Sequence, residues 1–325
     1  MISYYFEDMN NITEVLANEI LGTENYILTD SGPLVSTNGS TTDHLFESQT
    51  FGSLDDNILT TALNDINLTE KWFSKENVYT VPKVSEELKR YSTLIKNKYD
   101  YLRARQNSIK TIGYKYSKSN HYKKKFIKRN PIHLDVAQFN EQLLSELAFS
   151  GIKLINKVKK KVLTVNEKAD YFVNFVESLE ESLKIKRDTN KKYEDRVSEN
   201  YDLKTDEELV GRALYESQFM NKSVSVVSSD FDILWLVIGA SLVLPGFNEH
   251  NLHAYIINND SITRLSDPLE YEISQTRFIE AHGVSAVKKA SDDLANLSKL
   301  ATSFVEQTYQ EIIFDYLQNQ NQGRP

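Results

Sequence analysis

The chain has 325 residues, no cysteine, and a formal net charge of −8 from 38 Lys/Arg against 46 Asp/Glu. The lack of cysteine excludes disulfides and thiolate metal sites, and no run reaches the ~18 apolar residues of a membrane span. With 40% apolar and 11% aromatic residues the chain can bury a real core, and its length predicts one to two domains. The N-terminal stretch MISYYFEDMNN has neither the basic start nor the apolar core of a secretory signal, so a cytoplasmic protein without a membrane partner is expected.

Taken in order, residues 10–21 pattern as a short helix with Ile12, Val15, Leu16 and Ile20 on one face. Tyr26–Thr29 is a short strand that runs into Asp30-Ser31-Gly32-Pro33, so an acid stands where the strand ends. Asp also opens turns, and that duty alone would account for it. Residues 36–56 are polar and predict a surface loop, and 58–68 a helix. Val78–Val81 is a second strand that Pro82 should stop. From Val84 a long helix is expected toward Gln106, with Leu88, Tyr91, Ile95, Tyr99 and Leu102 inward and Glu86 and Glu87 in its first turn. Acids in a first turn also complement the helix dipole.

Residues 101–130 differ from the rest: they hold ten Lys/Arg and no Asp or Glu. Tyr101, Tyr114, Tyr116, Tyr122 and Phe126 are interleaved among the basic residues Arg103, Arg105, Lys115, Lys123, Lys124, Lys125, Lys128 and Arg129. Cations meet phosphates and aromatic faces stack on unpaired bases, so this segment predicts contact with nucleic acid, above all single-stranded. Tyr116 and Tyr122 are the candidate stacking rings. A solvated basic loop facing the acidic remainder is the plainer alternative.

Two helical patterns follow at Phe139–Val158 and Asn166–Leu183, separated by the basic run Lys157-Val-Lys-Lys-Lys161. Residues 184–204 are charged and pattern as a connector. Thr205-x-x-Glu208 has the spacing of a capping box, and Leu209, Val210, Ala213 and Leu214 share one face of the helix it opens. Val224, Val226 and Val227 form a β-branched run expected of a strand covered on both faces. It ends at Ser228-Ser229-Asp230-Phe231-Asp232, and Ile233–Val243 continues as an apolar helix. Pro245-Gly246 makes a turn, His253–Asn258 a strand, and Asn259-Asp260 a further turn. Ser285–Leu317 is read as one long amphipathic helix. This helix and the helical middle of the chain are where a second copy or another protein would dock.

Asp30, Glu87, Asp206 and Asp230 each stand at a strand end or at the start of the following helix. Sites in open α/β sheets form beyond the carboxyl ends of strands. Four acids converging there would repel one another unless cations neutralised them, and hard divalent ions with oxygen ligands do so, Mg²⁺ or Mn²⁺ first. No GxxxxGK[ST], GxGxxG or GxSxG motif is present, so nucleotide-binding and serine-hydrolase readings have no support.

Four segments, YILTDSGPLV, VYTVPKVSEEL, TDEELVGRAL and VSVVSSDFDIL, together resemble the ordered acidic motifs of PIN-domain nucleases. The matching positions are Asp30, Glu87, Asp206 and Asp230, with Asp232 as a fifth acid at the rim. The resemblance implies an α/β fold: a Rossmann-like, mostly parallel sheet flanked by helices, with Mg²⁺ or Mn²⁺ at the acids and RNA as substrate. It divides the chain into a discontinuous core, 1–89 with 205–325, and a mainly helical insertion, 90–204, which most small members of that family lack. A PIN-like protein that binds RNA without cutting it is one alternative. The strand end SSDFD also resembles that of haloacid-dehalogenase-like phosphatases. There, however, the motif comes early in its domain and has Thr or Val where this chain has Leu234.

Overall fold

The computed structural model describes residues 25–30, 56–89, 141–164, 166–183, 204–228, 230–258 and 261–295, together with 92, 93, 96, 97, 99, 100, 103 and 104. Five strands form one sheet in the order β2-β1-β3-β4-β5. They are β1 (Tyr26–Thr29), β2 (Val78–Tyr79), β3 (Val224–Ser228), β4 (Leu252–Asn258) and β5 (Ser261–Leu265). β1 pairs parallel to β3 and β3 parallel to β4, while β4 and β5 form an antiparallel pair. The fold is therefore α/β with a mostly parallel sheet, as the strand patterns predict.

All five residues of β3 are buried. Successive side chains of a strand point to opposite faces, so β3 is covered on both. That is why its sequence reads as an almost unbroken apolar run rather than an alternating one.

Helices with bounds set among the described residues are α1 (Asp56–Trp72), α2 (Glu141–Val158), α3 (Glu167–Leu183), α4 (Thr205–Leu214), α5 (Phe231–Val243), α6 (Pro268–His282) and α7 (Val284–Asp293), and residues 82–89 are helical as well. α5 is apolar nearly all round and buries Ile233, Leu234, Leu236, Val237, Ile238, Gly239, Ala240 and Val243. A helix of that kind belongs inside a protein, and α5 packs on α3, α4, α6, α7 and β4.

Contacts divide the chain into two units: 1–30 with 79–83 and 163–325, and 31–78 with 84–162. This division departs from the expected one. α3 packs on α4 within the sheet unit instead of belonging to the insertion. α1 pairs with α2 in the other unit, which also takes in residues 31–78. The physical reason lies in the apolar faces. α3 buries Phe172, Phe175, Val176 and Leu179, a stripe that needs the matching face of α4. The cores of α1 and α2, with Leu59, Ile66, Leu144, Leu147 and Leu154 buried, close on each other.

α3 and α4 approach closely at Gly211. A Cβ there would stand 2.6 Å from the Val173 Cα and 2.7 Å from its backbone nitrogen. Backbone cannot swing aside as a side chain does, so Gly211→Ala should destabilise the sheet unit by about 3 kcal/mol, the upper end for overpacking. Urea unfolding checks this, and a loss under about 1 kcal/mol would mean that the two helices separate freely.

Several local expectations are corrected. β2 ends at Tyr79, not Val81, and the helix after it begins at Pro82 itself, because proline suits a first helical position. Thr205 does not cap α4. Lys204 occupies the N-cap with φ 49°, ψ 46°, no side chain caps the turn, and the Glu208 carboxylate instead accepts the Lys83 backbone N–H at 2.8 Å. A tertiary partner has displaced the local one. The single C-terminal helix expected over 285–317 is preceded by a separate helix, α6, broken from α7 at Gly283 (φ 86°). α7 ends at Asp293, and 296–325 lie outside the described residues. So do the helix expected at 10–21, the loop at 36–55 and the connector up to 203.

Between α4 and β3, Tyr215–Phe219 form one π-helical turn. The turn buries Glu216, whose carboxylate pairs with Arg212 at 2.7 Å and Lys222 at 2.6 Å. The Lys222 ammonium also lies 4.6 Å from the centre of the Tyr26 ring, which stacks on Tyr79 at 4.3 Å. Burial, with Glu216 nearby, drives the Tyr26 hydroxyl far above its ordinary pKa. This polar cluster thus pins the π turn to the starting ends of the strands.

Candidate functional site

The register that aligns Thr29 with Val227 places the carboxyl ends of β1 and β3 side by side. The ladder continues one residue further, with the Asp30 N–H donating to the Val227 carbonyl at 3.0 Å. Asp30 is only 7% exposed. Its Oδ2 accepts a hydrogen bond from the Ser228 hydroxyl at 3.0 Å. The same hydroxyl oxygen accepts the Asp230 backbone N–H at 2.9 Å. An amide can only donate, so the one hydroxyl proton of Ser228 is left for Asp30. Asp30 is thus the acceptor of that bond.

Asp230 is the N-cap of α5, in extended geometry (φ −94°, ψ 127°), and its Oδ1 accepts the Asp232 N–H at 2.9 Å. The residue is exposed, and its Oδ2 has no hydrogen-bond partner among the described residues. Just past the end of β2, Thr80 Oγ1 donates to the Thr29 carbonyl at 2.9 Å and so ties the exit of β2 to that of β1. The start of α4 is held to the same chain exit by the Lys83–Glu208 bond and by Lys83 Nζ on the Lys204 carbonyl at 3.4 Å.

The structure thus brings Asp30 and Asp230 together through Ser228. Asp232 joins the array by its backbone N–H, and its side chain is half-buried in the first turn of α5. Asp206 is half-buried in the first turn of α4, next to the fully buried Glu207. Glu86 and Glu87 are both exposed on the helix that follows Pro82, in the other unit. Among the described residues no three His, Asp or Glu side chains stand at metal-holding spacing.

Of the predicted basic residues, Arg103 is exposed, its guanidinium 5.9 Å from the centre of the Tyr99 ring. Arg105, Lys115, Tyr116, Tyr122, Lys123, Lys124, Lys125, Lys128 and Arg129 lie outside the described residues. No helix among the described residues is long and apolar enough to cross a membrane.

Ser228 escapes a search for acids, although a hydroxyl two residues before a capping Asp could have marked it. Thr80 and Lys83 carry no local signal at all, since their partners lie 51 and 125 residues away.

No protein-family model, curated protein or solved structure gave a significant match to this chain. The ordered acidic motifs and the geometry at the strand ends are therefore what bear on function.

Proposed function

We propose that this chain is a metal-dependent ribonuclease with a Rossmann-like, PIN-like core, and that Asp30 and Asp230 hold its Mg²⁺ or Mn²⁺. One observation carries the reading: Asp30 and Asp230 stand at adjacent parallel strand ends, where the Ser228 hydroxyl donates to the Asp30 carboxylate and accepts the Asp230 backbone N–H. The donor chemistry fits the ion. Mg²⁺ keeps several waters and takes one or two carboxylates plus substrate phosphates, so a pair of acids suffices without a protein cage. When bound, such an ion polarises the phosphodiester and lowers the pKa of a coordinated water.

The protein's own part is positioning. Ser228 fixes the Asp30 carboxylate, and the Asp232 N–H fixes Asp230 with one oxygen left toward solvent.

A second reading has its own support. Asp230 already caps a helix and Asp30 already accepts a buried hydrogen bond, duties that suit an RNA-binding protein without catalysis. Incubation with end-labelled single-stranded and duplex RNA in Mg²⁺, Mn²⁺ or EDTA separates the two. Cleavage with either ion and none in EDTA is expected. Binding without cleavage under all three conditions would sink the nuclease reading.

A further inference from the structure

The exposed side of α2 and the end of α1 that it touches carry a charge opposite to that of the whole protein. Residues 70–76 and 153–161 together hold seven lysines and two glutamates, within a chain of net charge −8. The two segments are locked together. Lys161 Nζ donates to the carbonyls of Lys75 and Glu76 at 2.6 and 3.0 Å, and Lys157 Nζ to Ser74 Oγ at 2.7 Å. Glu70, nearly buried, pairs with Lys157 at 2.6 Å and Lys153 at 2.8 Å. Burial opposes the charge on Glu70, but the bonds from these two lysines outweigh it and hold its carboxyl below the usual range. Lys75, Lys159 and Lys160 are exposed around this fixed frame.

On the same side of α2 stands Phe149, 77% exposed, one helical turn before Lys153 and one before Ile152. An exposed aromatic ring beside a row of ammonium groups offers a flat apolar face on which a base can stack. We infer that this surface binds single-stranded RNA, with the base of one nucleotide on Phe149, a phosphate near it on Lys153, and phosphates further along the strand on Lys159, Lys160 and Lys75. Base stacking on aromatic rings combined with a basic track is the general chemistry of single-strand binding.

An anionic membrane fits less well. A helix that lies on a membrane offers a broad apolar face, and the broad apolar face of α2, with Leu144, Leu147, Leu154 and Val158, is already buried. Only Phe149 and Ile152 are left as large exposed apolar side chains on this helix.

The choice of RNA over other polyanions rests on the proposed function, but the site is tested by binding alone. Fluorescence anisotropy of the full chain in EDTA, with labelled single-stranded RNA of mixed sequence, reads affinity without cleavage. Replacing Lys75, Lys159 and Lys160 together by Ala should weaken binding about tenfold or more at low salt, and the salt slope should fall by about one for each phosphate that no longer meets an ammonium group. Phe149→Ala should weaken single-stranded binding by roughly tenfold and leave duplex binding unchanged. Both changes are at exposed positions, and an unaltered melting curve confirms that the fold persists. Wild-type RNA affinity in the triple variant overturns the inference, and so does equal loss of duplex and single-strand binding in Phe149→Ala. Tighter binding to phosphatidylserine vesicles than to RNA, lost in the same variants, would also overturn it and make the surface a membrane contact. If the chain cuts RNA yet these variants bind normally, the inference alone fails. If the variants lose binding while no metal supports cleavage, the nuclease reading alone fails.

Discussion

Asp30→Asn should lower metal-dependent RNA cleavage by roughly a hundredfold or more while leaving the fold intact. The size of the effect follows from the proposed role: a carboxylate that would help hold a divalent ion is replaced by a neutral amide, and groups that stabilise charge at a reacting centre commonly contribute factors of about 10²–10³. The preserved fold follows from shape. Asn is isosteric with Asp, and its carbonyl oxygen can still accept the Ser228 hydroxyl that now bonds Asp30 at 3.0 Å. Ser228→Ala separates position from charge: it keeps both carboxylates and removes only the bridge, so its rate should fall less than that of Asp30→Asn. The measurement is single-turnover cleavage at saturating RNA and saturating Mg²⁺, with thermal melting beside it. Full activity in Asp30→Asn would remove this residue from the mechanism.

The largest expected effect on stability is at Glu216, on the far side of the strands from the acids. Glu216→Ala should destabilise the sheet unit by about 3–5 kcal/mol, the usual cost of leaving a buried charge without its partner. The side chains of Glu216 and Arg212 are 3% and 12% exposed, so the arginine charge would be stranded. Lys222, 41% exposed, can turn to water and adds little. Glu216→Gln should cost less, since it keeps the shape and can still accept a hydrogen bond. The two tryptophans allow a clean reading, because Trp72 belongs to one unit and Trp235 to the other. Urea unfolding of the Trp72→Phe background, followed by Trp235 fluorescence, reports the sheet unit alone. A shift under about 1 kcal/mol for Glu216→Ala would show that water reaches the triad and screens it.

These two predictions differ in how far the sequence could have led to them. Asp30 and Asp230 are legible because each is preceded by an apolar run that ends abruptly at a polar residue. Glu216 is not, because it lies in a segment that patterns as an ordinary helix, and nothing local marks the π turn that buries it. The strand β5 and the helix α6 leave little local mark either. Ser261–Leu265 is short, and its pairing to β4 supplies the order that its own pattern lacks. α6 has little apolar stripe to detect: it buries only Tyr271 and Phe278, while Leu269 and Ile273 are exposed.

The strands β1, β3 and β4, the helices α2 to α5 and the place of each acid at the end of an element follow from the sequence by itself. Their signals are short-range: side-chain period, β-branching, proline and capping residues act within a few positions of one another. Which of those elements share a core, and which acids meet, was decided only in the tertiary structure. Ser228 joins Asp30 across 198 residues, and Lys83 reaches Glu208 across 125. No local preference encodes such pairs. They exist because burying the apolar faces of β3, α3, α4 and α5 together leaves one register for β1 beside β3, and that register sets the two carboxylates at neighbouring strand ends.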